Sequence, residues 1–295
     1  MTAAERITRA LRGRWHGRYG LALCPAHANT RTPALSLADA GDGRLLARCH
    51  AGCSFAAILE ALQGLGLVEG TGHYAPPSAA DLARIREAEE AEARKREAQA
   101  RNLWQDARPI PGTMAETYLR TRGISCPLPE VLRFHPECWH GPTARRWPAL
   151  VALVEGCDRL AVHRTYLRPD GQGKAAVEPV KMMLGATAGG AVRLVQAEGP
   201  LVVAEGIETA LSLASGLLRT PAKIWAALSA PGIAALRLSD LPGRLIVATD
   251  GDEAGRTAGN KLAGRATALG WQVSILPAPD GRDWNDILTL KGGAA

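Results

Sequence analysis

Leu245-Ile246-Val247-Ala248-Thr249-Asp250-Gly251-Asp252-Glu253-Ala254-Gly255 decides how this chain is read. A short apolar run bounded by turn residues predicts a buried strand. Here that strand runs straight into Asp250 and Asp252, with a glycine between them that permits a tight chain reversal. A second run, Leu201-Val202-Val203-Ala204, ends in Glu205-Gly206. Two strands thus deliver carboxylates to one edge of a sheet. That donor set suits Mg2+ or Mn2+, since Mg2+ takes one or two carboxylates and completes its shell with water and phosphate.

Outward from these runs the pattern alternates. Leu201 to Ala204, Ile224 to Leu228, Leu245 to Thr249 and Val273 to Leu276 read as strands, with helices at Thr209 to Leu217 and Ala254 to Leu269. Such alternation predicts an α/β fold with a mainly parallel sheet and helices on both faces. Sites in such sheets form outside the carboxyl ends of the strands, where Glu205, Asp250 and Asp252 are placed. A third acidic stretch, Gly281-Arg282-Asp283-Trp284-Asn285-Asp286, follows the last strand. Asp283 and Asp286 either join the same metal site or, for Asp283, cap a helix. Glu208 is either a further ligand or a favourable first-turn acid of its helix.

The N-terminal part carries a different constellation. Cys24-Pro25-Ala26-His27 and Cys49-His50-Ala51-Gly52-Cys53 form two close-spaced knuckles of soft ligands. Cys24, His27, Cys49 and Cys53 would close a tetrahedral shell around Zn2+, with no position left for water, so the site reads as structural. Gly52 lets the second knuckle turn. His27 is favoured over His50 because Cys-x-x-His gives a compact chelate. Cys126 and Cys157 read as inert cysteines, and the irregular spacing and prolines of His135 to His140 favour an ordinary turn over a second metal site.

Between these regions, Pro76-Pro77-Ser78 precedes a long Ala/Glu/Arg helix, with Ser78 and Asp81 as a capping box and Leu82, Ile85 and Leu103 among its few large apolar residues. Its Glu90-Arg94, Glu92-Arg96 and Glu97-Arg101 pairs predict an exposed, salt-bridged connector. The amphipathic segment Ala115 to Leu119 precedes a loop rich in Pro127, Pro129 and Pro136. A hairpin follows, Ala149 to Val154 against Leu160 to Leu167. The expected organisation is a β-rich zinc module at 1–72, a charged helical connector at 78–108, a basic segment at 109–192 and the acidic α/β domain at 193–295. In the basic segment Arg164 and Lys181 are candidate phosphate or nucleic-acid contacts.

The chain has 295 residues, 46% of them hydrophobic, with a formal net charge of +6 and a pI near 9.2. That balance favours an anionic partner. No apolar run is long enough to span a bilayer, and Met1 to Arg6 lacks the apolar core of a signal peptide. The expectation is a cytoplasmic protein with no membrane contact.

Cys24-Pro-Ala-His27, the following Arg31-Thr32-Pro33-Ala34-Leu35-Ser36-Leu37, Cys49 and Cys53 resemble the zinc ribbon of bacterial and phage primases. The second knuckle here holds three intervening residues instead of the usual two. Glu205-Gly206, Asp250-Gly-Asp252 and Asp283 to Asp286 resemble the Toprim domain, shared by bacterial-type primases, topoisomerases, recombination mediators and some nucleases. In the replicative primases an acid stands four residues after the first Glu. Here that place is Thr209 and the acid is Glu208, a pattern similar to primases of phages, plasmids and integrated elements.

The resemblance implies a DNA primase that joins NTPs into short RNA primers on a single-stranded DNA template. Its zinc module would engage the template, and its Toprim acids would hold the catalytic metal. The alternatives are a Toprim metal-dependent nuclease and a non-catalytic zinc-containing DNA-binding accessory. The sequence holds no Gly-x-x-x-x-Gly-Lys-Ser/Thr phosphate loop, so a replicative helicase would come from another chain.

Overall fold

The computed structural model describes residues 1–28, 33–40, 44–68 and 79–292, without the side chains of 79–86, 88 and 89. The expected Ser78-Asp81 capping box, the contribution of Leu82 and Ile85, and Arg31-Thr32 lie outside what is described. The chain divides into two compact units, Met1–Ser78 and Ala79–Ala295. Among the described residues, no helix is long and apolar enough to cross a membrane.

The first unit is a four-stranded antiparallel meander, β1 (Arg14–Trp15), β2 (Gly20–Ala22), β3 (Leu35–Asp39) and β4 (Leu45–Cys49), with α1 (Ala3–Ala10) and α2 (Phe55–Gly64). Side-chain oxygens start both helices: Thr2 accepts from the Glu5 N–H and Ser54 from the Ala57 N–H. Ile7, Leu35, Leu37, Ile58 and Leu62 are fully buried between helices and sheet.

The second unit begins with α3 (Ala79–Asp106) and an antiparallel sheet in the order β5 (Arg108–Pro109), β6 (Leu132–His140), β7 (Arg145–Val154), β8 (Ala161–Tyr166), β9 (Lys181–Leu184), with α4 (Met114–Thr121) before β6. The helix α3 is not an exposed connector throughout. The expected Glu-Arg pairs form, but Ala100 and Ala107 are buried and Leu103 and Trp104 pack with them against this sheet. Those four positions follow a helical spacing, and one such stripe is enough to seat a polar helix. Arg159 also reaches Glu90 and Glu97 on the same helix, at 2.6 and 3.0 Å.

The proline-rich loop ends sooner than expected. Pro136 lies inside β6, where the pairing with β7 shifts between His135 and Cys138. A bulge leaves the proline's missing N–H without a ladder partner to disappoint, so the strand continues through it. The segment His135 to His140 is therefore strand rather than turn.

The second sheet runs β10 (Val192–Val195), β12 (Lys223–Ala226), β11 (Leu201–Ala204), β13 (Arg244–Thr249), β14 (Gln272–Pro277). All neighbours are parallel except β10, which is antiparallel to β12. The helices are α5 (Ile207–Ser212), α6 (Ala230–Ala235), α7 (Glu253–Ala268) and α8 (Trp284–Gly292). Helix α6 was not expected from Ala-Pro-Gly-Ile-Ala-Ala. Ser229 caps it and its proline falls in the first turn, where no N–H is needed.

The two faces of this sheet are both covered. Leu201, Val203, Leu245 and Val247 pack with residues of α6 and α7, whereas Val202, Ala204 and Ala248 pack with α5 and the β5–β9 sheet of the same unit. Alternation along the strands explains the split. It also explains why these strands read as continuous apolar runs.

Candidate functional site

The register of β11 on β13 places the acids. Ala204 pairs with Ala248, so Glu205 and Thr249-Asp250 leave the sheet side by side at its carboxyl edge. Beyond β14 the pairing continues as loop. The Thr249 carbonyl accepts from Ala278 N–H, Gly251 N–H donates to the Arg282 carbonyl at 2.8 Å, and Gly281 N–H donates to the Gly251 carbonyl at 2.9 Å. This brings Asp283 to Asp250 and corrects the reading of Gly251. Its φ is not in the left-handed region; instead, a Cβ there would run into the Pro279 carbonyl. Close backbone approach, not chain reversal, requires the glycine.

Burial and then the negative charges of Glu205, Asp283 and Asp252 push the Asp250 carboxyl up to about 7. Its buried Oδ1 has no hydrogen-bond partner. Glu205 is likewise raised, by burial and then by Asp252, with Lys181 opposing. An orphaned carboxylate oxygen among mutually repelling acids fits a divalent cation, which would satisfy the oxygen and cancel the repulsion. Asp252 is exposed at the head of α7, where its Oδ1 accepts from the Gly255 N–H at 2.7 Å. The acids are not within direct ligand distance of one another as a set. Among the described residues, only the Cys/His cluster brings three or more metal-ligating atoms within 4.8 Å of each other.

Asp283 and Asp286 form a reciprocal cap at the start of α8: Asp286 N–H donates to Asp283 Oδ1 (2.9 Å) and Asp283 N–H to Asp286 Oδ2 (3.2 Å). Asp286 is exposed. Asn285 between them is buried and donates to the Arg122 carbonyl and to Ser212 Oγ, both at 2.9 Å. These bonds pin α8 to α5 and hold Asp283 where its charge reaches Asp250. Another fixed point is Leu228, at φ 72, whose N–H donates to the Glu205 carbonyl. A branched residue in the left-handed region is strained and persists only where its surroundings demand it.

Glu208 does not face the acids as an open ligand. It is buried, and its oxygens receive Tyr118 Oη at 2.7 Å, Lys181 Nζ at 3.1 Å and Lys174 Nζ at 3.3 Å. Burial alone would raise its pKa, but Lys181, Lys174 and the tyrosine outweigh it and hold the carboxyl well below the usual range. Burial lowers Lys174 despite Glu208, and Lys181 adds to that lowering. Lys181 comes from β9, and Lys174 is set by its bridge to Leu167.

Arg164 is also buried. It donates to the carbonyls of Met183 (3.1 Å) and Trp139 (3.4 Å), so this guanidinium is engaged by main chain rather than presented to a ligand. The sequence reading missed Lys174, Tyr118 and Asn285.

In the first unit, Cys24, His27, Cys49 and Cys53 converge within 4.8 Å, and His50 does not belong to the group. His27 Nδ1 lies 3.1 Å from Cys53 Sγ and 3.8 Å from Cys49 Sγ. Gly52, at φ 95, makes the turn between the second pair of cysteines. Burial pushes the Cys24 thiol up to about 11. At Cys49 burial acts the same way, but main-chain N–H groups of Cys53 and Ala51 overcome it and favour the thiolate. Three sulfurs and one imidazole with N–H groups aimed at sulfur fit a structural zinc site.

In zinc-finger peptides such metal supplies roughly 10–16 kcal/mol of folding free energy. Cys49→Ser is therefore expected to lose stoichiometric zinc by elemental analysis and to make the first unit protease-sensitive. A Cys49→Ser protein with full zinc content and unchanged proteolysis would remove that assignment.

Residues 200–294 match the Toprim domain family, and residues 94–194 match a domain of unknown function. No curated protein matches the chain. Solved structures to which it is similar include three primase structures. For a DNA primase domain from Pseudomonas aeruginosa, the identity is 19%, the TM-score 0.41, and coverage 68% of this chain and 74% of that one. For the zinc-binding and RNA polymerase domains of Aquifex aeolicus primase, the values are 14%, 0.41, 100% and 81%. For the RNA polymerase domain of Mycobacterium tuberculosis primase they are 20%, 0.41, 68% and 80%. The Toprim match is therefore confined to residues 200–294, and the Cys3His cluster lies in the N-terminal unit.

Proposed function

We propose that this chain is a DNA primase, synthesising short RNA primers from NTPs on single-stranded DNA for replication of a phage, plasmid or other mobile element. The observation that carries this is the buried, unpartnered Asp250 Oδ1 among Glu205, Asp252 and Asp283, at the strand ends of a Toprim domain with lysines beside it. Glu205, Asp250 and Asp252 would hold Mg2+ or Mn2+, which neutralises triphosphate charge and lowers the pKa of the attacking hydroxyl.

The chain's own groups divide the remaining work. If Asp250 and Asp252 alone hold the metal, Glu205, whose carboxyl is raised by burial, is suited to accept the proton of the 3′-hydroxyl while the hydroxyl oxygen bonds to the α-phosphorus and pyrophosphate departs. Lys174 and Lys181 would offer positive charge to the phosphates. Arg164 instead supports β9, the strand that presents Lys181, through its bond to the Met183 carbonyl. The N-terminal unit, with zinc bound, would engage the template.

The test is incubation of the protein with single-stranded DNA, labelled NTPs and Mg2+. Metal-dependent oligonucleotides are expected. Shortening of labelled DNA without synthesis would instead establish a nuclease, and DNA binding with neither product would establish the non-catalytic accessory.

A further inference from the structure

We infer that Glu208 and Tyr118 are positioning residues that hold Lys174 and Lys181 as a paired cradle for the polyphosphate of the incoming nucleotide. This rests on the primase reading and assigns a part of its site.

Glu208 is a buried carboxylate with both oxygens occupied. Lys174 takes Oε1 and Lys181 takes Oε2, while the Tyr118 hydroxyl also donates to Oε1. Three donors thus converge on one buried carboxylate. The two lysines differ from their anchor in exposure: their side chains are 32% and 35% exposed, against 5% for Glu208. An ammonium has three donors. One from each lysine binds Glu208, so others remain for an anion.

Lysine is a flexible point charge and costs entropy to fix. A buried anion spanning both ammonium groups removes that freedom before substrate arrives. Tyr118, from α4, fixes the anion in turn across 90 residues of sequence. Lys181 Nζ lies 3.9 Å from where a Cβ on Gly206 would stand, next to Glu205, which places the cradle beside the acids. A nucleoside triphosphate presents an extended polyanion that a lysine pair next to a metal-binding edge can grip.

A counter-charge and a positioning group make opposite predictions. If Glu208 merely neutralised the lysines, Glu208→Gln would leave more positive charge and bind anions more tightly. If it positions them, the same change weakens binding. The measurement is calorimetric titration of the full chain with tripolyphosphate, without added divalent metal.

The wild type is expected to bind, and Lys174→Ala, Lys181→Ala and Glu208→Gln are each expected to weaken binding by about ten-fold, the scale of one charge-assisted hydrogen bond. Tyr118→Phe keeps the carboxylate and is expected to weaken it by about three-fold. In primer synthesis the KM for NTP should rise more than kcat falls. Should Glu208→Gln fail to fold, Tyr118→Phe decides. Unchanged or tighter tripolyphosphate binding in the decisive variant, or none in the wild type, overturns the inference. Loss of the affinity pattern with primer synthesis intact sinks the cradle alone, whereas an intact pattern without synthesis sinks the primase reading alone.

Discussion

Asp250→Asn is expected to abolish primer synthesis while making the protein harder to unfold at alkaline pH. The two effects share one cause. Asp250 carries a carboxyl raised from 3.8 to about 7 by burial and by Glu205, Asp283 and Asp252. A group whose pKa is higher folded than unfolded stabilises the fold fully below the unfolded value. That stability is lost as pH rises through the folded value. Between roughly pH 4 and pH 7 the loss approaches about 4 kcal/mol if the aspartate titrates alone, and sharing a proton with its neighbours reduces it.

Asparagine keeps the shape and removes the charge, so the variant should melt several degrees higher than wild type at pH 8 and close to it near pH 4. Addition of Mg2+ should stabilise the wild type by binding only the folded state, and should do so much less for the variant. Synthesis should fall on the order of a thousand-fold, the several kcal/mol that a divalent metal supplies to a developing charge. Retention of synthesis, or a melting difference that does not grow with pH, would show that Asp250 is not the centre of the acidic site.

What the sequence made legible and what it hid follow one physical division. The strands β11 and β13 are buried on both faces, so they stand out as unbroken apolar runs, and the acids after them fall at a sheet edge by topology alone. The Cys/His knuckles are legible because a tetrahedral metal constrains local spacing. Tyr118, Lys174 and Asn285 were hidden because their roles are made across long separations: Tyr118 meets Glu208 from 90 residues away, and Asn285 reaches Arg122 from 163. Nothing near each residue in sequence marks such a partner. A weak signal existed for Lys174, which lies seven residues before Lys181 in the basic segment, but spacing alone did not distinguish it.

Arg164 errs in the opposite direction. A basic residue in His-Arg-Thr-Tyr suggests an open cation, yet β8 is buried along its whole length and the arginine goes in with it. Pro136 misled because a bulge, which sequence does not announce, removes the usual objection to proline in a strand.

Gly251→Ala is expected to be strongly disruptive for a single added methyl group. Glycine between two aspartates suggests a loop that needs freedom, and then alanine would cost little. The geometry demands space instead, because the Cβ would enter the Pro279 carbonyl and crowd that of Arg282. Both contacts are main chain, so no side-chain rotation relieves them.

The loop at 279–282 must withdraw, which breaks the Gly251-Arg282 and Gly281-Gly251 hydrogen bonds and carries Asp283 away from Asp250. Overpacking costs about 1–3 kcal/mol, and losing the two main-chain bonds adds roughly 1 kcal/mol each. A fall in melting temperature should therefore accompany near-complete loss of synthesis and of Mg2+-dependent stabilisation.

Gly264→Ala is the matched control. Gly264 lies on the exposed side of α7 with nothing within 4 Å of its would-be Cβ, so alanine should stabilise by about 0.5–1 kcal/mol and leave synthesis unchanged. If Gly251→Ala behaved like Gly264→Ala, the two loops would not be clamped together. The approach of Asp283 to Asp250 would then have no structural enforcement, and the acidic site would reduce to the carboxylates supplied by the two central strands.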